Sequence, residues 1–189
     1  MKTLSFLVIL IMGSMGGHMN RHITLSLFAL TALGLALLPS GAISQQKSLK
    51  EQLVGTWTIV SNDNVAPDGT KRQIFGPNPQ GILIFDANGR YALMFMQPGR
   101  PKFQAKNRLR GTPEEIKAAF EGALVHFGTW SVTEADKVIV LRTEGALYPN
   151  QEGTEGKRTI VTLTADELKM ANPASGAGGT TEAVFRRAK

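Results

Sequence analysis

From Thr56 to Arg187 the chain is a succession of short apolar runs separated by turn signals, with a single clear helix start among them. That cadence limits the fold more than any motif does. Residues 56–61, 82–85, 91–96, 127–133, 137–144, 157–164, 167–171 and 181–187 read as strands. Asn62-Asp63-Asn64, Pro67-Asp68-Gly69 and Glu134-Ala135-Asp136 punctuate them, and Asp86-Ala87-Asn88-Gly89 reads as a hairpin turn. Gly55-Thr56-Trp57 opens the first strand. In 91–96, Tyr91, Leu93 and Phe95 share one face while Ala92, Met94 and Met96 share the other, so this strand is expected to be covered on both sides. Thr112-Pro113-Glu114-Glu115 combines a capping residue, a proline at the first helical position and a capping-box glutamate, which predicts a helix ending near 122–124. The expectation is an all-β fold, a single antiparallel barrel of about eight strands with one short helix, ahead of a β-sandwich.

Two apolar runs precede this region. Asn20-Arg21-His22, the stretch 25–38 and Pro39-Ser40-Gly41-Ala42 have the basic start, short apolar centre and small-residue cleavage site of a secretory signal peptide. Residues 1–42 therefore read as a leader cut after Ala42, and 43–189 as one domain. Met19 is the favoured start, because the run 4–12 behind Met1 is a second, shorter apolar segment. Neither run reaches the roughly 20 residues of a membrane span. The mature chain is thus expected in the periplasm or outside the cell. With no Cys it has neither a disulfide nor a lipid-anchoring cysteine. Taking 42 residues from 189 leaves 147, the length of one domain. Removing Lys2 and Arg21 leaves 19 basic against 15 acidic residues, an excess too small to call for nucleic acid on an exported protein.

The chemistry available is narrow. His18 and His22 fall in the leader, so His126 is the remaining imidazole of the three. Zinc or copper needs several His or Cys ligands, so no metal and no cofactor is expected. There is no thiol nucleophile, no serine elbow, and no phosphate-binding glycine loop with its lysine and helix. No spacing singles out a pair of carboxylates.

Several segments together carry a family likeness: Leu53-Val54-Gly55-Thr56-Trp57, Phe75-Gly76-Pro77-Asn78-Pro79-Gln80-Gly81, Asp86-Ala87-Asn88-Gly89-Arg90-Tyr91, His126-Phe127-Gly128-Thr129-Trp130, and Tyr148-Pro149-Asn150-Gln151-Glu152-Gly153-Thr154-Glu155. In this order, and along nearly the whole mature chain, the sequence resembles the bacterial lipocalin-like domain family. The resemblance implies a lipocalin-type barrel; some related small proteins stand beside biosynthetic enzymes acting on polyketides. The Thr-Asp-Tyr motif of true lipocalins is missing, so their ligands and receptor contacts do not carry over. The resemblance also implies that Trp57 plugs the closed end, with Arg186 or Arg187 stacked across its ring.

Tyr91, Met94, His126 and Arg142 are the candidate ligand contacts. Tyr91 offers a phenol on an apolar body, and Met94 lies on the strand that is apolar on both faces. His126 runs in phase with Trp130 and Val132, either as a hydrogen-bonded structural residue or as a polar group in the cavity. Arg142 and Glu144 share a face with Val138 and Val140, either solvated or turned inward as an ion pair. Arg100, Lys102, Lys106, Arg108 and Arg110 have no acid among them. They form a solvated basic loop or a rim at the barrel mouth, where Arg108 and Arg110 would draw in anionic ligands. Phe103 and Leu109 in the same stretch leave membrane contact open, without a span. The expected function is binding of a small apolar or amphipathic ligand inside the barrel. The alternative is a cyclase or isomerase acting on an apolar, polyketide-like substrate with His126 or an acid as proton donor; a third reading is a barrel with a filled core.

Overall fold

The computed structural model describes residues 47–175 and 178–189; the expected leader 1–42, its cleavage site and the start at Met19 lie outside them. The strands are β1 (Gly55–Val65), β2 (Lys71–Gln73), β3 (Gln80–Phe85), β4 (Arg90–Met96), β5 (Ala123–Thr133), β6 (Val138–Ala146), β7 (Glu155–Leu163), β8 (Glu167–Asn172) and β9 (Thr180–Arg187). Apart from β2, each pairs antiparallel with its sequence neighbours, and β9 returns to β1 to close the ring. The ring is the expected eight-stranded barrel, and β2 is a short extra ribbon on the far end of β1. Closure removes the exposed sheet edges that an open sheet of this length would present.

Strand β1 continues through Asn62-Asp63-Asn64, which reads as a turn in the sequence. Those residues pair with Ala183, Glu182 and Thr181 of β9, and Asn62 is buried. The cross-strand partners override the poor strand propensity of Asn and Asp. Strand β5 likewise begins at Ala123, earlier than residue 127, which places His126 well inside a strand.

Helix α1 (Leu49–Leu53) is a single turn closed by a capping box between Ser48 and Glu51. It is too short for helical periodicity to show in sequence. Helix α2 (Pro113–Glu121) starts as expected, with Thr112 and Glu115 in a reciprocal capping box. It packs on β5, leaving Ile116 and Phe120 partly in solvent at 50% and 44% exposure.

One end of the barrel is filled. Trp57, Leu83, Phe85, Ile139, Leu141 and Leu168 are fully buried there, and Phe85 packs on Trp130 with ring centroids 4.6 Å apart. The Trp57 Nε1–H donates to the Leu53 carbonyl at 2.8 Å, tying the plug to the last residue of α1. Arg187 lies over the indole with Cζ 4.0 Å from the ring centroid. Its guanidinium donates to the carbonyls of Gln52 and Val54, and its Nε to Ala165, so one cation stacks on the plug and satisfies carbonyls at the end of α1. Of the two arginines weighed for this role, Arg187 takes it; Arg186 is exposed.

Candidate functional site

The opposite half of the barrel is open. A cavity of about 760 Å³ lies among Phe75, Leu93, Phe95, Leu124, Met170 and Phe185. Exposed Arg72, Gln73, Glu121 and Tyr148 line the side where it meets solvent. Its size falls within the roughly 300–1,000 Å³ of small-molecule sites. Asn62 on β1 and Thr181 on β9 add buried polar groups to the wall, and a further polar cluster comes from His126 on β5, Arg158 on β7, Asn172 on β8 and Gln151 in the 3-10 turn Pro149–Gln151. The four residues of that cluster border a second hollow of about 500 Å³, so they stand between the two spaces.

The position of His126 follows from the β5–β6 ladder. Between Phe127 and Gly128 the register passes over Glu144 on β6, a β-bulge. Gly128 is needed there, because a Cβ would lie 1.9 Å from the Arg142 carbonyl oxygen. Next to the bulge, the Tyr91 hydroxyl sits 2.9 Å from His126 Nδ1 and 3.1 Å from Thr143 Oγ1, and all three side chains are buried. The chain of bonds runs in one of two senses. Thr143 donates to Tyr91 and Tyr91 to His126, with the ring proton on Nε2, or the order reverses and the ring donates from Nδ1. Burial, reinforced by the nearby Arg158 cation, pushes the His126 pKa from 6.5 down to about 4. Burial also raises that of Tyr91. The imidazole is therefore neutral at pH 7 and acts as a hydrogen-bonding wall, with no imidazolium proton to give.

The four candidate ligand contacts separate in space. Tyr91 and His126 meet, but only His126 lines the cavity; Tyr91 borders neither hollow and stands behind the imidazole. Met94 is a correction: it alternates with buried Leu93 and Phe95 and so faces outward. Arg142 is another, since Ile139, Leu141 and Thr143 take the inward phase of β6. Its side chain is 74% exposed and pairs with Glu155 at 3.1 Å. Glu144 is likewise outside, held by Arg90 in a two-bond pair at 2.6 and 2.8 Å.

The basic stretch does not form the cavity lining. Arg108 and Arg110 are exposed on the connection between β4 and α2 and border neither hollow. That connection is tied to the helix: Gln104 N–H donates to Glu115 Oε1 at 3.0 Å, and Arg100 donates to the Ala119 carbonyl at 3.3 Å. Leu109 stands 82% exposed at its tip.

The residue that sequence reasoning passed over is Arg158. It is half-buried, and its Nη1 donates to the Lys157 carbonyl at 2.9 Å and to Asn172 Oδ1 at 3.0 Å. Its one sequence signal is its phase with the apolar Ile160. Val161 is apolar as well and sits on the opposite face, and the β7–β8 register shifts between Ile160 and Thr162, so the inward phase could not be chosen in advance. Gln151 Oε1 is buried without a hydrogen-bond partner among the described residues. Among the described residues no cluster of three or more His, Asp or Glu could hold a metal ion.

Residues 54–187 match the family model of a lipocalin-like domain. A comparison with curated proteins gives no match. Among solved structures, a lipocalin-like protein from Bacteroides uniformis is 13% identical, with 72% of this chain and 99% of that one covered and a TM-score of 0.41. A redesigned β-barrel is 13% identical, with 76% and 100% covered and a TM-score of 0.40. Bovine odorant binding protein in complex with a selenium-containing odorant is 19% identical, with 76% and 74% covered and a TM-score of 0.37. At these TM-scores the structural likenesses carry no argument; the domain match does.

Proposed function

The chain belongs to the lipocalin-like domain family, and from that premise we propose that it is an exported protein holding a small, mainly apolar ligand in the open half of its barrel. The observation that carries the reading is the unequal filling of the barrel. Side chains occupy the Trp57 end completely, while the other end keeps about 760 Å³ among aromatic and aliphatic walls. A cavity that joins aromatic and aliphatic walls to placed polar groups is the ordinary form of a small-molecule site. Export to the periplasm or outside the cell is supported by the leader pattern at 20–42.

The state of His126 favours binding over a turnover that uses this imidazole as its proton donor. A cyclase or isomerase needs a proton donor against its substrate, and an imidazole with a pKa of about 4 carries no such proton near neutrality. Native mass spectrometry of the protein purified from its natural compartment tests the proposal. The expected spectrum shows a chain beginning at Ile43 with a small apolar molecule bound noncovalently. A ligand-free chain that also fails to take up added apolar compounds would overturn the binding reading, and an intact Met1 or Met19 terminus would overturn export.

A further inference from the structure

The ligand-holding reading leaves open what the polar wall is for, and Arg158 answers that. It enters the interior from β7, in phase with buried Ile160. Two residues earlier on the same face is Gly156, where a Cβ would lie 3.0 Å from Arg158 Nη1 and 3.5 Å from Nη2. The missing side chain is the space in which the guanidinium lies back along the strand. Nη1 is used by the Lys157 carbonyl and Asn172 Oδ1; among the described residues, Nε and Nη2 have no acceptor. Arg158 also takes part in no ion pair among the described residues, whereas Lys71, Arg90, Arg142 and Lys169 each have a glutamate.

A cation removed from much of its water and given no counterion is costly to keep, and an anion that enters with the ligand relieves that cost. The free edge suits an oxyanion head, and the lower hydration cost of a singly charged carboxylate favours it over a phosphate. Nε–H and Nη2–H are parallel donors whose spacing matches the two oxygens of one carboxylate. Neutral His126 and the amide of Gln151 border the same space and add hydrogen-bonding capacity, while the carboxylates of the two linings, Glu121 and Glu155, belong to exposed residues. We propose that the ligand is amphipathic: its carboxylate head sits on the Nε/Nη2 edge of Arg158, and its tail lies among Phe75, Leu93, Phe95 and Phe185. This rests on the ligand-holding reading above and moves the anion-selecting role from the exposed Arg108 and Arg110 to the interior.

The test is displacement of the neutral fluorophore N-phenyl-1-naphthylamine from the full-length mature protein by decanoate, 1-decanol and decyl phosphate. Decanoate is expected to bind at least about tenfold more tightly than decanol, the factor for one charge-assisted interaction. Decyl phosphate also fits the fork but must bring a more highly charged, more strongly hydrated head into the interior, and is expected to bind more weakly than decanoate. Arg158→Met should abolish the decanoate preference, read as the ratio of decanoate to decanol affinity within the same variant, and Arg158→Lys should restore only part of it. Arg108→Gln with Arg110→Gln should leave the preference intact. If decanoate and decanol displace the fluorophore equally from wild type, the carboxylate site is overturned while the cavity stands. Tighter binding of decyl phosphate than of decanoate overturns the choice of carboxylate. If wild type binds none of the probes, the ligand-holding reading itself fails. The wild-type ratio decides the matter even where Arg158→Met does not fold.

Discussion

Trp57→Ala is the perturbation that most directly probes how the closed end is held. The indole is fully buried, and truncating a buried Trp to Ala costs about 3–5 kcal/mol. With m near 2 kcal/mol/M, that moves the urea midpoint down by about 2 M. The double-mutant cycle with Arg187→Met separates the stack from the packing. Arg187 alone loses its bonds to the Gln52, Val54 and Ala165 carbonyls, about 1.5–3 kcal/mol for a half-exposed charged donor whose acceptors water can in part reclaim. The coupling term should be about 0.5–2 kcal/mol, the value of a cation over an indole face. Urea unfolding of the four proteins at pH 7, followed by far-UV circular dichroism, yields all three terms. A Trp57→Ala loss below about 1 kcal/mol, where exposed substitutions fall, would refute the plug. A coupling of zero would refute the stack.

Acid should weaken the fold through His126. Its folded pKa of about 4 lies below the unfolded 6.5, so only the unfolded chain takes up a proton between those values; stability present above pH 6.5 is lost toward pH 4, by up to about 3 kcal/mol. Urea midpoints measured from pH 7.5 to 4.5 should fall more steeply for wild type than for His126→Asn, and parallel lines would show that the imidazole is not buried in its neutral form. Tyr91→Phe leaves His126 Nδ1 and Thr143 Oγ1 without their shared partner and should cost about 1–3 kcal/mol in urea melts. Because Tyr91 borders neither hollow, the same variant should bind N-phenyl-1-naphthylamine within about twofold of wild type. Gly128→Ala forces the Arg142 carbonyl aside and should cost about 1–3 kcal/mol, checked by the same melts; no loss would mean that the bulge is absent in solution.

The barrel is legible in this sequence because its signals are local. Turn residues at Asp86-Ala87-Asn88-Gly89 and the Thr112–Glu115 capping box act within a few positions, and both stand where the residues indicate. What was not legible depends on partners far along the chain. Asn62-Asp63-Asn64 extends β1 only because β9 lies alongside it. β2 is three polar residues whose pairing to Asp63, Asn64 and Val65 leaves no apolar pattern. The direction of the candidate side chains was legible in part, for a related reason. His126 shares the phase of Trp130, so its inward direction could be counted out, and β5 keeps that phase. Met94 and Arg142 lie on strands with apolar residues on both faces, where counting cannot tell inside from outside. Arg158 is hidden by the same ambiguity, sharpened by the irregular β7–β8 register.

The central claim is that half of the barrel is an occupied or occupiable cavity, and fluorescence titration with N-phenyl-1-naphthylamine tests it most directly when paired with Ala183→Trp. Ala183 is buried on β9, two residues before Phe185, and lines the cavity, so an indole there fills the space from the wall. Wild type should show saturable one-to-one binding with a blue-shifted emission. Ala183→Trp, confirmed as folded by its circular dichroism and urea transition, should bind at least about tenfold more weakly, a loss of some 1.4 kcal/mol. Absence of saturable binding in wild type, or equal affinity in the folded variant, would contradict the cavity and leave a barrel filled by its own side chains.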